Sequence, residues 1–582
     1  MRKLFLSTIT IFILIACSSA PTKKEEIKTV KVNAAIGEIE GLIEEDVYLF
    51  KGIPFAQPPV GELRWKAPRK LAPVSETIKA FSHKSKCTQP KENEFILDRG
   101  VIEGGEDCLY LNIFVPKGNV DISKNNYPIM FWIHGGSNIW GTGNSYDFSK
   151  LAESQKVVVI TINYRLGPMG WFSSSHLRNT SEGDDRSSNF GHLDIIAALE
   201  WVQENGNSFG GDPTNVTIFG ESAGGHNVLV LLATKKARGL FHKAISQSGY
   251  VSSFSEQFAS EESELSSAKV FQDDIRFLTE DQQIVDYLRD MPIKEIFQRY
   301  KQADESHLYS ISPISIRDGI VIPKEGIYKA LEDVDPSVVV VAGTNKDELN
   351  LWYLRSKYFY QTALNLGRNL KRSEENLKSW IEYRSNIWRF TGAEEPLRRM
   401  SKSNQNLYSY RFDWDEEAST ILGDYPLFLG AAHGLEIPFI SGDYSLLPAF
   451  ARPLVFPNES KEGREYLSNL MMQYWANIAK YGDPNTFVQD HRWNKFRIQN
   501  QNYLRLDSPE YIQMVYDPVD ADAMLKTLES DSTLELKERC LIGWIAEMNF
   551  VEEMRGDPPF DFCSEYTSVD LLKLRRLTEG RD

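Results

Sequence analysis

The feature that most limits what this chain can fold into is a succession of short, continuously apolar, β-branched runs, each ending in glycine or polar residues. They are PIMFWIHGG (128–136), KVVVITINYR (156–165), NVTIFGES (215–222), HKAISQSG (242–249) and SVVVVAGTNKDE (337–348). A strand apolar on both faces must be covered on both faces, and helical patterns such as GHLDIIAALEWVQENG (191–206) lie between several of these runs. The expectation is an α/β fold with a large, mostly parallel central sheet and helices on both faces. Ahead of it, residues 27–56 alternate apolar and polar positions between glycines, which predicts antiparallel strands. NLYSYRFDW (406–414) and NYLRLD (502–507), with the helical EYLSNLMMQYWANIAKYG (465–482) between them, extend the predicted sheet almost to the C-terminus. Residues 257–336 and 358–400 read mainly as helical insertions.

The first residues, MRKLFLSTITIFILIACSS, place Arg2 and Lys3 before an apolar stretch from Leu4 to Ala16 that is short for a bilayer span. Residues 1–16 are therefore read as a secretion signal, and its LIAC end resembles a lipobox that leaves Cys17 as the lipid-bearing first residue. Residues 17–29 follow as a polar tether, and 30–582 as one large domain, with no long linker after the tether. The expectation is an exported protein held by its lipid to a bacterial membrane, the outer one by resemblance of the serine after Cys17. The net charge of −16 argues against a nucleic-acid partner, since no basic cluster offsets it. With Cys17 assigned to lipid, four cysteines remain, and proximity in sequence makes Cys87 with Cys108 and Cys540 with Cys563 the simplest of three pairings.

Gly220-Glu221-Ser222-Ala223-Gly224 follows a β-run and precedes a helical pattern, the context of a G-x-S-x-G nucleophile elbow. A serine hydroxyl attacks well only if a base takes its proton and donors hold the oxyanion that develops. His134-Gly135-Gly136-Ser137 resembles an HGGG-type oxyanion loop, with His134 positioning the loop rather than acting as base. Downstream, Asp347 and Glu348 end an apolar run as candidate acids, and His433 sits in a loop in FLGAAHGLEIPF (428–439). His226, His242 and His491 fit the base less well: the first lies one helical turn after Ser222, the second precedes the acid, and the third lies in a polar loop.

These pieces, with FKGIPFAQPPVGELRW, EDCLYLNIFVP, VVVITINYRLGPMGWF, ALEWVQENGNSFGGDPTNVTIFGESAGG, AAHGLEIPF and YWANIAKYGDPN in order, make the chain similar to type-B carboxylesterases, an α/β-hydrolase family, from about Val30 to about Asp507. The resemblance implies Ser222 as nucleophile, Glu348 rather than Asp347 as acid, and His433 as base. It places the oxyanion hole at the N–H groups of Gly136, Ser137 and Ala223, and has Ser248 support the acid. It also implies a disulfide between Cys87 and Cys108, whereas Cys540 and Cys563 fall outside the pattern. The implied activity is hydrolysis of a small carboxylic ester through an acyl-enzyme, with no cofactor or metal. A lipase or amidase on the same triad, or a non-catalytic adhesion member of the fold, are the alternatives. No tryptophan lies between Cys87 and Cys108, where cholinesterases hold the choline cation, so choline esters are not the expected substrate. Trp352, Tyr353, Tyr358 and Tyr360 either line an apolar entrance or pack as core aromatics.

Overall fold

The computed structural model describes residues 28–93, 96–119, 121–303, 314–363, 367–420, 423–550 and 560–580. The residues read as a secretion signal, Cys17, and nearly all of the expected tether lie outside the described residues. Main-sheet strands are β1 (Thr29–Ala34), β2 (Gly37–Ile43), β3 (Val47–Pro54), β4 (Tyr110–Pro116), β5 (Tyr127–Ile133), β6 (Val158–Ile162), β7 (Gly211–Glu221), β8 (Lys243–Gln247), β9 (Val339–Asn345), β10 (Leu407–Phe412), β11 (Tyr503–Leu506) and β12 (Gln513–Val515). They are ordered β1-β2-β3-β4-β6-β5-β7-β8-β9-β10-β11-β12, and the short strand Ile78–Lys79 pairs with β2.

From β6 to β11 every neighbouring pair is parallel. The N-terminal strands and β12 pair antiparallel at the two ends. Strand periodicity explains why the parallel part reads as unbroken apolar runs. In β5, Ile129, Phe131 and Ile133 enter the core on one face, while Met130 and Trp132 enter the core on the other. Strand β9 does the same with Val340 and Ala342 against Val339 and Val341. Each fully buried Val, Ile, Phe or Met among them contributes roughly 1.5–3 kcal/mol of hydrophobic stabilisation.

Helices α1 (Phe190–Asn205) and α2 (Ala223–Ala233) cover the first face through Ile195, Leu199, Val228 and Leu231. The four-residue helix α3 (Asn350–Tyr353) follows β9, and α4 (Glu374–Arg389) opens with a Ser373 cap on the Asn376 N–H. Helix α5 (Lys461–Tyr481) covers the second face with Leu467, Met471, Trp475 and Ile478. After β12 the strands end, and the chain continues as α6 (Ala521–Ser530), α7 (Leu536–Phe550) and α8 (Ser568–Thr578). Both predicted late strands are present as β10 and β11, the sheet runs on to Val515, and a helical layer with its own apolar cluster follows. Both expected pairings of cysteine are present, Cys87–Cys108 and Cys540–Cys563, with Cα separations of 4.9 and 5.5 Å.

Candidate active site

The C-terminal ends of the parallel strands place the candidate residues along one edge of the sheet, where open α/β sheets build their sites. Strand β5 runs into His134-Gly135-Gly136, β7 into Ser222, β8 into Ser248 and β9 into Glu348, each within a few residues of the strand end.

Ser222 has φ +59° and ψ −121°, a strained conformation for a residue with a Cβ, at a cost of order 1–3 kcal/mol. Its backbone is fixed from both sides: its N–H donates to Gln247 O at 2.9 Å, and its carbonyl accepts from the His226 N–H at 2.9 Å. The turn can be this tight because a Cβ at Gly224 would lie 2.0 Å from the Ile133 carbonyl oxygen. Ala223 begins α2 directly after the serine, so the positive end of the helix dipole lies at the elbow. The loop after β5 folds over it. A Cβ at Gly135 would meet Ser222 Cβ at 3.0 Å, and one at Gly136, whose φ is +101°, would strike the Trp140 carbonyl oxygen at 2.0 Å. Ser137 and Asn138 also have positive φ, at +57° each.

His134 stays out of the chemistry. Its Nδ1 donates to Gly135 O at 2.8 Å, and its ring stacks on Tyr164 at 4.4 Å. The Tyr164 hydroxyl donates to His134 O, and burial holds the ring's pKa down at about 4. His226 is likewise enclosed, bonded to Tyr250 O and Ser315 Oγ. His242 bonds the Val216 N–H, and His491 bonds Ile512 O.

His433 is placed differently. Its Nδ1 donates to Glu348 Oε2 at 2.6 Å, and its Nε2 faces Glu221 Oε1 at 3.1 Å, beside the elbow. Glu348 is fully buried, and its other oxygen accepts from the Asn345 N–H at 2.8 Å. Asp347, one residue earlier, points elsewhere: its Oδ2 accepts from the Ala431 N–H, and its own N–H donates to Ala431 O. The two neighbours divide the work, Glu348 meeting the imidazole and Asp347 clipping the loop that carries it.

Two carboxyls, Glu221 and Glu436, and two amides, Asn345 and Gln247, were not legible as site residues in the sequence. Burial, with Glu436 and Glu348 nearby, pushes Glu221 up to about 8 against the opposing pull of His433. Burial pushes His433 down, but Glu221 and Glu348 outweigh it and raise the imidazole. Glu436, also raised by burial, accepts from Asn345 Nδ2 and Gln247 Nε2, and Gln247 Oε1 accepts from Trp475 Nε1. The expected support from Ser248 takes another form. Its hydroxyl has no hydrogen-bond partner among the described residues, while its carbonyl accepts from Trp388 Nε1 at 3.1 Å.

Of the four aromatics considered for an entrance, only Trp352 reaches the site, its ring 5.0 Å from that of His433. Tyr353 and Tyr360 are buried in the helical layer's cluster, and the Tyr358 hydroxyl donates to Glu538. Trp388 on α4 completes the wall, 4.7 Å from His433 and stacked on Trp352 at 5.6 Å. Nothing in the local sequence marked Trp388, because its contact with His433 is made by the folding of distant segments.

The Carboxylesterase family model matches residues 28–364 and 354–522, nearly the whole of the sheet-bearing chain. The chain belongs to the carboxylesterase family. It is 32% identical over 499 residues to the para-nitrobenzyl esterase of Bacillus subtilis (strain 168), covering 82% of this chain and 94% of that one. It is 32% identical over 540 residues to carboxylesterase 1D of Rattus norvegicus, covering 85% and 92%. Among solved structures, a thermophilic para-nitrobenzyl esterase superposes with a TM-score of 0.69 at 28% identity, over 85% of this chain and 99% of that one. The fold is that of the α/β-hydrolases, and the protein is a carboxylic ester hydrolase. Helices α7 and α8 of this esterase, with the Cys540–Cys563 bridge, lie beyond the last matched residue, 522.

Proposed function

We infer that this esterase hydrolyses small neutral carboxylic esters through an acyl-enzyme formed on Ser222. In this reading His433 Nε2 takes the Ser222 proton as Oγ attacks the ester carbonyl. The tetrahedral oxyanion is held by the N–H groups of Gly136, Ser137 and Ala223. Collapse breaks the bond to the leaving alkoxide, which receives the proton from His433. Water then attacks the acyl-serine with His433 again as base, the acid leaves, and Ser222 regains its proton. Glu348 keeps the imidazole in the tautomer that presents Nε2 and stabilises it when positive.

The observation that carries this reading is the 2.6 Å bond between His433 Nδ1 and the buried Glu348 carboxylate, with the opposite ring nitrogen 3.1 Å from Glu221, the residue before Ser222. The test is hydrolysis of p-nitrophenyl acetate and inactivation by an organophosphate bound at Ser222. Turnover equal to wild type in Ser222→Ala would exclude it. An ester class rather than a lipid droplet substrate is distinguished by comparing soluble and emulsified esters of rising acyl length, since activation at the oil interface would make the enzyme a lipase.

The protein is further proposed to be exported and anchored by a lipid on Cys17 to a bacterial membrane, the outer one, with residues 17–29 as tether. Its support is the basic start, the apolar run from Leu4 to Ala16 and the LIAC sequence. Metabolic labelling with a clickable fatty acid should mark the wild type and not Cys17→Ser; equal labelling of both would remove the anchor.

A further inference from the structure

The helices that follow the family-matched residues grip, from the far side, both elements that carry the tryptophans beside His433. Trp352 rides on α3, four residues long, and a helix of one turn is too short to hold its own shape. Besides Asn350 Nδ2 donating to Leu429 O at 3.1 Å, its support comes from the C-terminal helices. Ser356 Oγ donates to Leu577 O at 2.5 Å, and the chain at Gly580 lies so close that a Cβ there would sit 3.0 Å from Ser356 N.

Two buried carboxylates repeat the grip on the flanking chain. Glu538 on α7, fully buried, accepts from Tyr358 Oη at 2.7 Å, Trp380 Nε1 at 3.0 Å and Asn376 Nδ2 at 3.0 Å. Glu579 accepts from Arg384 on α4 at 3.0 Å. Between these polar points Leu349, Tyr353, Trp380 and Ile381 share one apolar cluster with Leu541, Trp544 and Leu571, and Trp352 and Trp388 pack on it. Trp388 is also held from the sheet, through its Nε1 on Ser248 O and Gly249 O, so the tryptophan that depends most on the helical layer is Trp352.

We propose that residues 523–550 and 560–580 are a specificity-determining element of the active site: by docking on α3 and α4 they hold Trp352 against His433, and this fixed indole is the wall that packs on the bulky apolar acyl group of an ester. The proposal rests on the hydrolytic reading of Ser222 and His433. An isolated short helix would leave the indole free among rotamers, and the bulky acyl group would have to order it on binding. A small acyl group does not reach the wall and is indifferent to it.

The experiment uses the full chain with Ser356→Ala and with the double variant Ser356→Ala/Glu538→Gln, Trp352→Ala serving as the limit. Amide hydrogen exchange over 350–356 is expected to accelerate about tenfold in the double variant. The kcat/KM for p-nitrophenyl benzoate should fall roughly fivefold in the double variant, mainly through KM, with its kcat for p-nitrophenyl acetate within about twofold, and Trp352→Ala should lower the benzoate kcat/KM further. The His433 ring titration followed by NMR should move in the same variants. Should the double variant fail to fold, Ser356→Ala alone carries the same readouts with smaller changes. Faster exchange with an unaltered ester ratio and unaltered His433 titration would reduce the layer to a stabilising role and overturn the proposal. Unchanged exchange in both variants would show that the layer does not hold α3, and would overturn it too. A wild type that hydrolyses neither ester refutes the hydrolytic reading instead, and the exchange and titration then decide the placement of Trp352 alone.

Discussion

The edge of the parallel sheet and the C-terminal helical layer approach the same imidazole by different physical means. At the sheet edge Ser222, Glu348 and the Gly136 loop are set by backbone: strand hydrogen bonds, positive φ angles and close chain contacts such as Gly224 against Ile133. On the helical side Trp352 and Trp388 are set mainly by side chains: an apolar cluster, the buried carboxylates Glu538 and Glu579, and for Trp388 its own indole Nε1 on Ser248 O and Gly249 O. Backbone-defined geometry tolerates almost no substitution, whereas side-chain packing is graded. On the proposed reading, the reacting groups sit on the first and the wall that adjusts fit on the second.

That contrast fails if changes at the sheet edge prove mild. Ser222→Ala is expected to cost about 10⁶ in kcat on p-nitrophenyl acetate. Glu348→Gln should cost about 10⁴ by presenting the wrong tautomer of His433, while Asp347→Asn, which leaves an acceptor for the Ala431 N–H, should cost less than about tenfold. Equal losses in the two variants would show that the structure misassigns the acid. Gly136→Val forces a Cβ toward the Trp140 carbonyl and should lower kcat by about 10²–10³ with the KM little changed.

The helical layer should respond in stability rather than in chemistry. Replacing Cys540 and Cys563 by serine opens a bridge across a sequence separation of 23 and should lower unfolding free energy by about 3 kcal/mol in urea titration. The kcat of the folded fraction for p-nitrophenyl acetate should stay within about twofold, and a thousandfold loss would erase the distinction between the two regions. The smallest effect sharpens the electrostatics of the edge. The Glu221 carboxylate raises His433, so Glu221→Gln lowers the imidazole's pKa, keeps the base unprotonated to lower pH, and moves the acid limb of kcat/KM downward by on the order of one unit. An acid limb that stays in place, or moves upward, would show that Glu221 does not act on His433.

Much of the edge was readable in advance for a specific reason. G-x-S-x-G with a strand before and a helix after, a glycine loop upstream, and an acid and histidine downstream are local patterns, and chain order links them. The same is true of the parallel sheet, whose doubly buried strands need unbroken apolar runs. Glu221 and Glu436 escaped notice because a carboxylate carries no sign of whether it will be buried beside an imidazole. Trp388 escaped because it meets His433 only after α4 folds over the strand ends. The aromatics Tyr353 and Tyr360 could not be separated from Trp352 by sequence, since core and site aromatics share one composition.

By itself the amino-acid sequence indicated the parallel sheet, the tight turn at Ser222, and the Cys87–Cys108 and Cys540–Cys563 pairs as the simplest of three, all of which depend on short-range spacing or on the order of segments. The tertiary structure alone decided that Asp347 clips the loop carrying His433, that Glu221 lies at the free ring nitrogen, and that a C-terminal layer beyond the family-matched chain packs behind Trp352. Those outcomes depend on which side chains long-range packing brings within a few ångströms and removes from water, a property of the folded chain that no local pattern encodes.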